Sequence, residues 1–397
     1  MNQIDLCDLR FGEGAHLLVK RALASIAVGE EIVVCGQDPD FEVHLEAWAR
    51  TEGDSVRLSG ESRHSYLRRG AIESGRWQGA ERAGDADPHK PEAVVEKPPR
   101  RWGLAARGAT VEAGAPEFTF QLAEKSQVWA EEAVRLYAQA VAAQWDPNTA
   151  VPWDAQFELQ PEVEDAVVQL MTYLIENEAA ALIVPSRFVA QLHPHFREVM
   201  QLLAIQAADE ARHVEVFTRR ALLKRDRLGL STVGGQASLK TLIDEPDFAI
   251  ASFLLSVMGE GTFLTLLRFL EQHAPDPVTR AITRLAANDE ARHVAFGVAH
   301  LRESVKSNPA LLDRLAQSVH CRHDALRQTA GLNQEVLDAL ILLAAGAWDH
   351  DALRAGSRQV TQLLHDMDIG RRSQPSRLGF EAKQAAALSG LHTRNFM

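Results

Sequence analysis

The stretch Asp209-Glu210-Ala211-Arg212-His213-Val214 recurs letter for letter as Asp289-Glu290-Ala291-Arg292-His293-Val294, eighty residues further along a chain of 397. Nothing around either copy is of low complexity, so the repeat marks two copies of one functional element. In each copy a Glu and a His stand three apart, which on a helix makes them neighbours on one face, able to grip one metal ion. The flanks say which face. Leu203, Ala207, Val214 and Phe217 share the stripe of Glu210, and Ala286, Ala287, Val294 and Gly297 share that of Glu290, so both pairs point into a core.

A carboxylate on an apolar stripe costs several kcal/mol to bury unless a cation compensates it, so further glutamates of this kind need a common explanation. Glu260 is one, with Phe253, Val257, Phe263, Leu264 and Leu267 at helical spacing. Upstream there are two candidates. Glu178 shares its stripe with Met171, Leu174, Ile175, Ala181 and Leu182, whereas Glu176 keeps company with Gln169, Thr172, Ala179 and Ala180, which favours Glu178 without eliminating Glu176. Phe217, Phe253 and Phe263 are candidates for a substrate pocket, against the plainer reading of core aromatics.

Helices are expected over 160–191, 194–225, 246–273 and 277–306, three of them opening near Pro194, Pro246 and Pro277, the last capped by Asp276. Glu260 and Glu290 lie at equal heights above the turn near Pro275, about 20 Å at 1.5 Å per residue. Glu178 and Glu210 match comparably only if Pro185 is internal to its helix. The connection between the second and third helices is long and carries Gly229, Gly234 and Gly235. Two tight hairpins joined by one crossover is ferritin-like connectivity. The fold class expected is therefore mainly α: a four-helix bundle at 160–306 inside a helical domain at 125–397, with extra C-terminal helices broken near Gly331, Gly346 and Gly370. Residues 1–60 alternate strand and helix signals, a small α+β domain that a strand at 116–123 could complete. Residues 61–115, rich in Gly, Pro, Arg and Glu, read as an irregular insertion or linker.

The doubled Glu-x-x-His, each preceded by Asp and carrying Arg before His, resembles the di-iron carboxylate oxygenases and oxidases of the ferritin-like superfamily, notably bacterial multicomponent monooxygenases and acyl-carrier-protein desaturases. The resemblance covers about 150 of the 397 residues. It implies Glu178, Glu210, His213, Glu260, Glu290 and His293 as ligands of two iron ions, with Asp209 and Asp289 accepting the free imidazole N–H groups across the bundle and Arg212 and Arg292 neutralising those aspartates. It implies dioxygen as co-substrate. Phe217 stands where the small subunit of ribonucleotide reductase carries its radical Tyr, and Ala286 where arylamine N-oxygenases carry a third His. A stretch from Ile4 to Arg10, Asp38-Pro39-Asp40 and Trp48-Ala49-Arg50 resembles the TusA-like sulfur-carrier fold. Phe11-Gly12 replace its reactive Cys-Pro, so sulfur transfer there is not expected and a docking or substrate-orienting role is.

The bulk numbers bound these readings. A formal net charge of -12 disfavours nucleic acid as a partner, and three scattered cysteines exclude a thiolate iron centre or rubredoxin module. No long uncharged apolar run or signal segment stands out, so a cytoplasmic protein with no membrane partner is expected. Oxygen and nitrogen ligands suit iron or manganese, a mixed pair included, better than zinc or copper. The function expected is dioxygen activation to oxidise a small organic substrate, apolar or carrier-borne, by hydroxylation, desaturation, epoxidation or N-oxidation, fed by an external electron donor; a homodimer is compatible. Two alternatives stay open: a ferroxidase or peroxide scavenger without organic substrate, and a binding or scaffold protein that holds metal structurally.

Overall fold

The strand and helix periods of the sequence become two separate units, Met1–Thr119 and Phe120–Met397, in a computed structural model that describes residues 2–60, 63–90, 92–327 and 334–396. In the first, β1 (Asn2–Asp5), α1 (Ala15–Ala24), β2 (Glu31–Cys35), α2 (Phe41–Glu52), β3 (Ser55–Leu58) and β4 (His64–Arg68) build a sheet of order β1-β2-β4-β3. β1 runs parallel to β2, the other pairs antiparallel. Ala15, Val19 and Leu23 on α1 and Phe41, Leu45 and Ala49 on α2, each four apart, cover Ile32, Val34 and Leu67. The expected completing strand at 116–123 is not in this sheet. β4, hidden in the supposed irregular stretch, takes that role through its buried alternating Ser65 and Leu67. Leu122 instead makes a parallel bridge to Leu192 in the second unit. The Gly-rich stretch after β4 is short β5 (Glu81–Arg82) paired with β6 (Thr110–Val111) and loops held by close backbone approach: a Cβ on Gly70 would sit 1.8 Å from the Gly53 carbonyl oxygen.

The second unit is helical. Short α3 (Lys125–Val128), α4 (Ala133–Ala142) and α5 (Pro147–Ala150) precede the bundle of α6 (Pro161–Val189), α7 (Arg197–Ala221), a third rod and α11 (Pro277–Ser307). Pro161 and Pro277 sit at the first helical position, and Asp276 accepts from Thr279 N at 2.8 Å. Pro194 opens a single 3-10 turn before α7, and Asp247, not Pro246, caps the third rod by accepting from Ile250 N. α6 runs through Pro185 without stopping. The long crossover is not bare loop but carries α8 (Val233–Ile243), with Gly234 and Gly235 in its first turn under the Thr232 cap.

The third rod is the main departure from ideal geometry. It comprises α9 (Phe248–Ser252), a π-helical segment (Phe253–Glu260) and α10 (Gly261–Gln272). A π turn advances the backbone out of phase with the α period, so the buried face slips: Thr262, Leu266, Leu267 and Leu270 are buried, whereas Phe263 and Leu264 are only half-buried. α12 (Leu311–Leu326), α13 (Gln334–Ala345), α14 (His350–Leu378) and α15 (Ala382–Phe396) form the C-terminal layer. The break expected at Gly346 separates α13 from α14; Gly370 lies inside α14, where packing overrides its low helix propensity, and the Gly331 break falls outside the described residues. α6 and the rod 248–272 are long and apolar enough to cross a membrane by length and composition, yet more than half of each apolar window is buried within the protein.

One end of the bundle is tied by a buried ion network. Arg220, fully buried near the end of α7, donates to Glu164 on α6 at 2.6 and 3.1 Å, to the Asp276 cap at 2.8 Å and to Thr279 Oγ1 at 2.9 Å. The fork shape of guanidinium lets one cation serve two carboxylates from different elements.

Candidate metal centre

Each rod of the bundle delivers its glutamate to one buried place. α6 brings Glu178, α7 brings Glu210 and His213, the π segment ends on Glu260, and α11 brings Glu290 and His293, none more than 4% exposed. They form two overlapping groups, Glu178-Glu210-His213-Glu290 and Glu210-Glu260-Glu290-His293, whose ligand atoms lie within 4.8 Å of one another. Glu210 and Glu290 belong to both. Glu178 is buried within the first group, whereas Glu176 is half-buried and outside both groups among the described residues.

The imidazoles face the carboxylates with Nδ1. His213 Nδ1 is 3.1 Å from Glu210 Oε2 and 3.5 Å from both Glu178 Oε2 and Glu290 Oε1. His293 Nδ1 is 3.0 Å from Glu210 Oε1 and 3.4 Å from Glu290 Oε2. The opposite ring nitrogens donate across the bundle, each to the aspartate of the other repeat: His213 Nε2 to Asp289 Oδ2 at 3.1 Å and His293 Nε2 to Asp209 Oδ2 at 3.3 Å. That exchange fixes each ring's orientation and leaves Nδ1 for the centre. Arg212 and Arg292 each pair with the aspartate three residues before them, and Arg212 also reaches Asp289 Oδ2 at 3.0 Å.

Sequence reasoning missed the loop that breaks this symmetry. Gln144 accepts from Arg212 at 2.7 Å and donates to Asp209 at 2.8 Å, while the Trp145 indole donates to Asp289 at 2.8 Å and stacks on the His213 ring at 6.4 Å. Arg212 lies over the Trp145 ring. Gln206, one turn before Glu210, donates to Glu260 Oε1 at 3.3 Å. Only Gln206 had a signal, its place on the Glu210 stripe; Gln144 and Trp145 come from a non-periodic connection. Of the candidate pocket aromatics, Phe217 packs against His213, Phe253 stacks on Phe380 and Phe263 meets Tyr173. None of the three lines the cavities of about 360, 680 and 270 Å³ in this unit.

The electrostatics describe a site built for cations. Burial, then the charge of Glu210, pushes Glu178 well above the usual carboxylate range; burial, then Glu290, does the same to Glu260. Burial would raise Glu210 too, but His293 and His213 outweigh it and hold it well below. Burial opposes charge on both imidazoles, yet Glu178 and Asp289 raise His213, and Glu210 and Glu290 raise His293, well above the ordinary histidine value. Asp289 is lowered, burial being overcome by His213 and Trp145.

The residues fit two divalent ions by hydrogen bonding and by charge. Glu178 Oε1, Glu260 Oε2 and both Glu290 oxygens are buried and accept no hydrogen bond among the described residues, a penalty of about 1–3 kcal/mol or more for each charged group unless another partner takes the lone pairs. Asp209 and Asp289 are matched by Arg212 and Arg292; without metal the centre limits its charge by holding protons on Glu178, Glu260, His213 and His293, and once those protons leave the four glutamates present four negative charges. Two divalent cations supply four positive charges and need the two neutral imidazoles as additional donors.

Neither a protein-family model nor a curated protein matches the chain. Among solved structures it is similar to an R2-like ligand-binding oxidase from Sulfolobus acidocaldarius, at 16% identity and TM-score 0.41 over 62% of this chain and 94% of that one. It is also similar to R2-like ligand-binding oxidases with an aerobically reconstituted metal cofactor after photoconversion (18%, 0.42) and with an aerobically reconstituted Mn/Fe cofactor (17%, 0.43), each over 68% of this chain and 94% of the other.

Proposed function

We propose that the helical unit is a di-metal oxidase, with iron or manganese held by Glu178, Glu210, His213, Glu260, Glu290 and His293, that activates dioxygen to oxidise a small organic substrate. The observation that carries this reading is the pair of overlapping buried groups sharing Glu210 and Glu290, with carboxylate oxygens left without hydrogen bonds. When bound, such a pair of ions supplies two-electron redox chemistry and a Lewis acid. The chain does the rest. Glu210 and Glu290, common to both groups, would be shared by the two ions, Asp209 and Asp289 fix the tautomers of His293 and His213, and Gln206 orients Glu260. The walls of Leu174, Phe217, Leu267 and Ala286 keep bulk water away. An external electron donor completes the cycle, and the N-terminal α+β unit, which we read as TusA-like, serves docking or substrate orientation.

A second reading, oxidation of ferrous ions or reduction of peroxide without an organic substrate, draws support from the burial of all six residues and their absence from the three cavities described. Loading the apoprotein anaerobically with ferrous iron and then admitting oxygen separates the outcomes. One oxidation per loaded ion, with reductant driving no product from a panel of apolar acids and amines, favours the second reading. Reductant-dependent turnover of any of them favours the first.

A further inference from the structure

The largest of the three cavities described, about 680 Å³, lies between α8, the start of the third rod and one face of α12. It is of the size that takes a small organic molecule, and its wall is of two kinds. Ile250 on α9, Leu254 on the π segment and Ala325 on α12 make it apolar. Arg314, Ser318 and Arg322, spaced four apart on α12, make one side of it polar over a run of about 12 Å.

The two arginines differ in what surrounds them. Arg314 is exposed and pairs with Asp247, the cap of the third rod, at 2.5 Å. Arg322 is 6% exposed and donates to the Ser238 carbonyl oxygen and hydroxyl on α8, both neutral groups, at 3.2 Å each. Burial pulls its guanidinium down to about 9. Arg371 on α14 adds to the same positive field: burial, then Arg322, then Arg371 hold the buried His392 imidazole well below the ordinary histidine value. The two carboxylates on the cavity wall stand at the opposite, Arg314 end. Glu245 Oε1 accepts from Asp247 N at 2.9 Å, and Asp313 is exposed in the first turn of α12, nine residues before Arg322.

A buried cation at one end of an apolar wall complements a molecule with the same two parts. We propose that this cavity binds an amphiphilic organic anion, its carboxylate or phosphate head on Arg322 and its apolar body against Ile250, Leu254 and Ala325. The planar guanidinium fork suits either head. None of the six ligand candidates lines the cavity, so the site is separate from the metal centre and does not depend on the di-metal reading.

The unaltered protein carries its own reporter. Cys321 lines the cavity and is exposed, whereas Cys7, exposed in the first unit, serves as control. With decanoate or decyl phosphate, each below the concentration at which it forms micelles, alkylation of Cys321 by iodoacetamide should slow about threefold once the ligand exceeds its Kd about twofold. Alkylation of Cys7 should not change, both rates being read by peptide mass spectrometry. Decanol and decyltrimethylammonium, with the same chain and no anionic head, should not protect. Arg322→Gln should abolish the protection by either anion, and Ala325→Trp, which fills the cavity from an exposed position, should abolish it with Arg322 in place. Protection by one anion and not the other supports the proposal and identifies the head. No protection by either anion, equal protection by decanol, or full protection in a folded Arg322→Gln variant overturns it. Should Arg322→Gln not fold, the four probes on the unaltered protein and on Ala325→Trp decide.

Discussion

Replacing Asp289 with Asn keeps the shape of the side chain and removes its charge. Asp289 Oδ2 receives the His213 Nε2–H at 3.1 Å, the Trp145 indole at 2.8 Å and Arg212 at 3.0 Å, and of the two proposed metal positions only the one shared by Glu178 and His213 depends on it. Loss of such an outer partner costs about 10–100-fold in metal affinity, or roughly 1.4–2.8 kcal/mol. Asp289→Asn should therefore weaken one of two bound equivalents by that factor and leave the other within about threefold. Asp209→Asn, whose partner is His293, should weaken the other equivalent, with Gln144 and Arg212 softening the loss. The assay is competition for manganese between the protein and a chromophoric chelator, resolved into two steps. Equal weakening of both steps in each single variant, or of neither, refutes the crossed aspartate–histidine arrangement as the device that orients the two positions.

Other perturbations act on the scaffold. Arg220→Met leaves Glu164 and Asp276 buried without their cation and should destabilise the helical unit by about 3–5 kcal/mol in chemical denaturation. Gly297→Ala should cost about 1–3 kcal/mol through the 2.5 Å contact with Ser256, and Ser256→Gly should recover part of it. The pH dependence follows from four groups whose folded values are raised: Glu178 and Glu260 above 4.5, His213 and His293 above 6.5. Each binds its proton more tightly when folded, so its contribution is complete below the unfolded value and lost as pH rises through the folded one. Metal-free protein should thus melt at falling temperature as pH rises above about 6.5, where His300 and His392, whose folded values are lowered, are neutral in both states and add no opposing slope, and manganese should flatten that slope because the ions replace the protons. A Tm that rises with pH in chelator contradicts this.

The bundle was legible because its signals are local. The repeated Asp-Glu-Ala-Arg-His-Val declares two helices that each carry Glu-x-x-His, apolar stripes point to Glu178 and Glu260 as buried carboxylates, and Pro277 with its Asp276 cap marks the last connection. Residues whose placement depends on tertiary contact left no such trace. Gln144 and Trp145 reach the aspartates from a short connection without period, and Arg220 reads as one more charge at a helix end until Glu164 and Asp276 surround it. The π segment escaped because every residue from Phe253 to Met258 is buried, so no stripe marks the phase change. β4 was masked by composition: Gly and Arg around it outweigh a five-residue alternation that only pairing with β2 and β3 makes decisive.

Two redox-active ions held by Glu178, Glu210, His213, Glu260, Glu290 and His293 would be visible directly. The most direct measurement loads apoprotein with ferrous iron without oxygen, counts bound metal, and follows the near-ultraviolet absorption of oxidised iron after oxygen is admitted. The account predicts two ions per chain and an oxygen-dependent band that Glu178→Ala, Glu210→Ala and Glu290→Ala abolish and Glu176→Ala preserves. Metal well below two ions per chain, or no band, contradicts it.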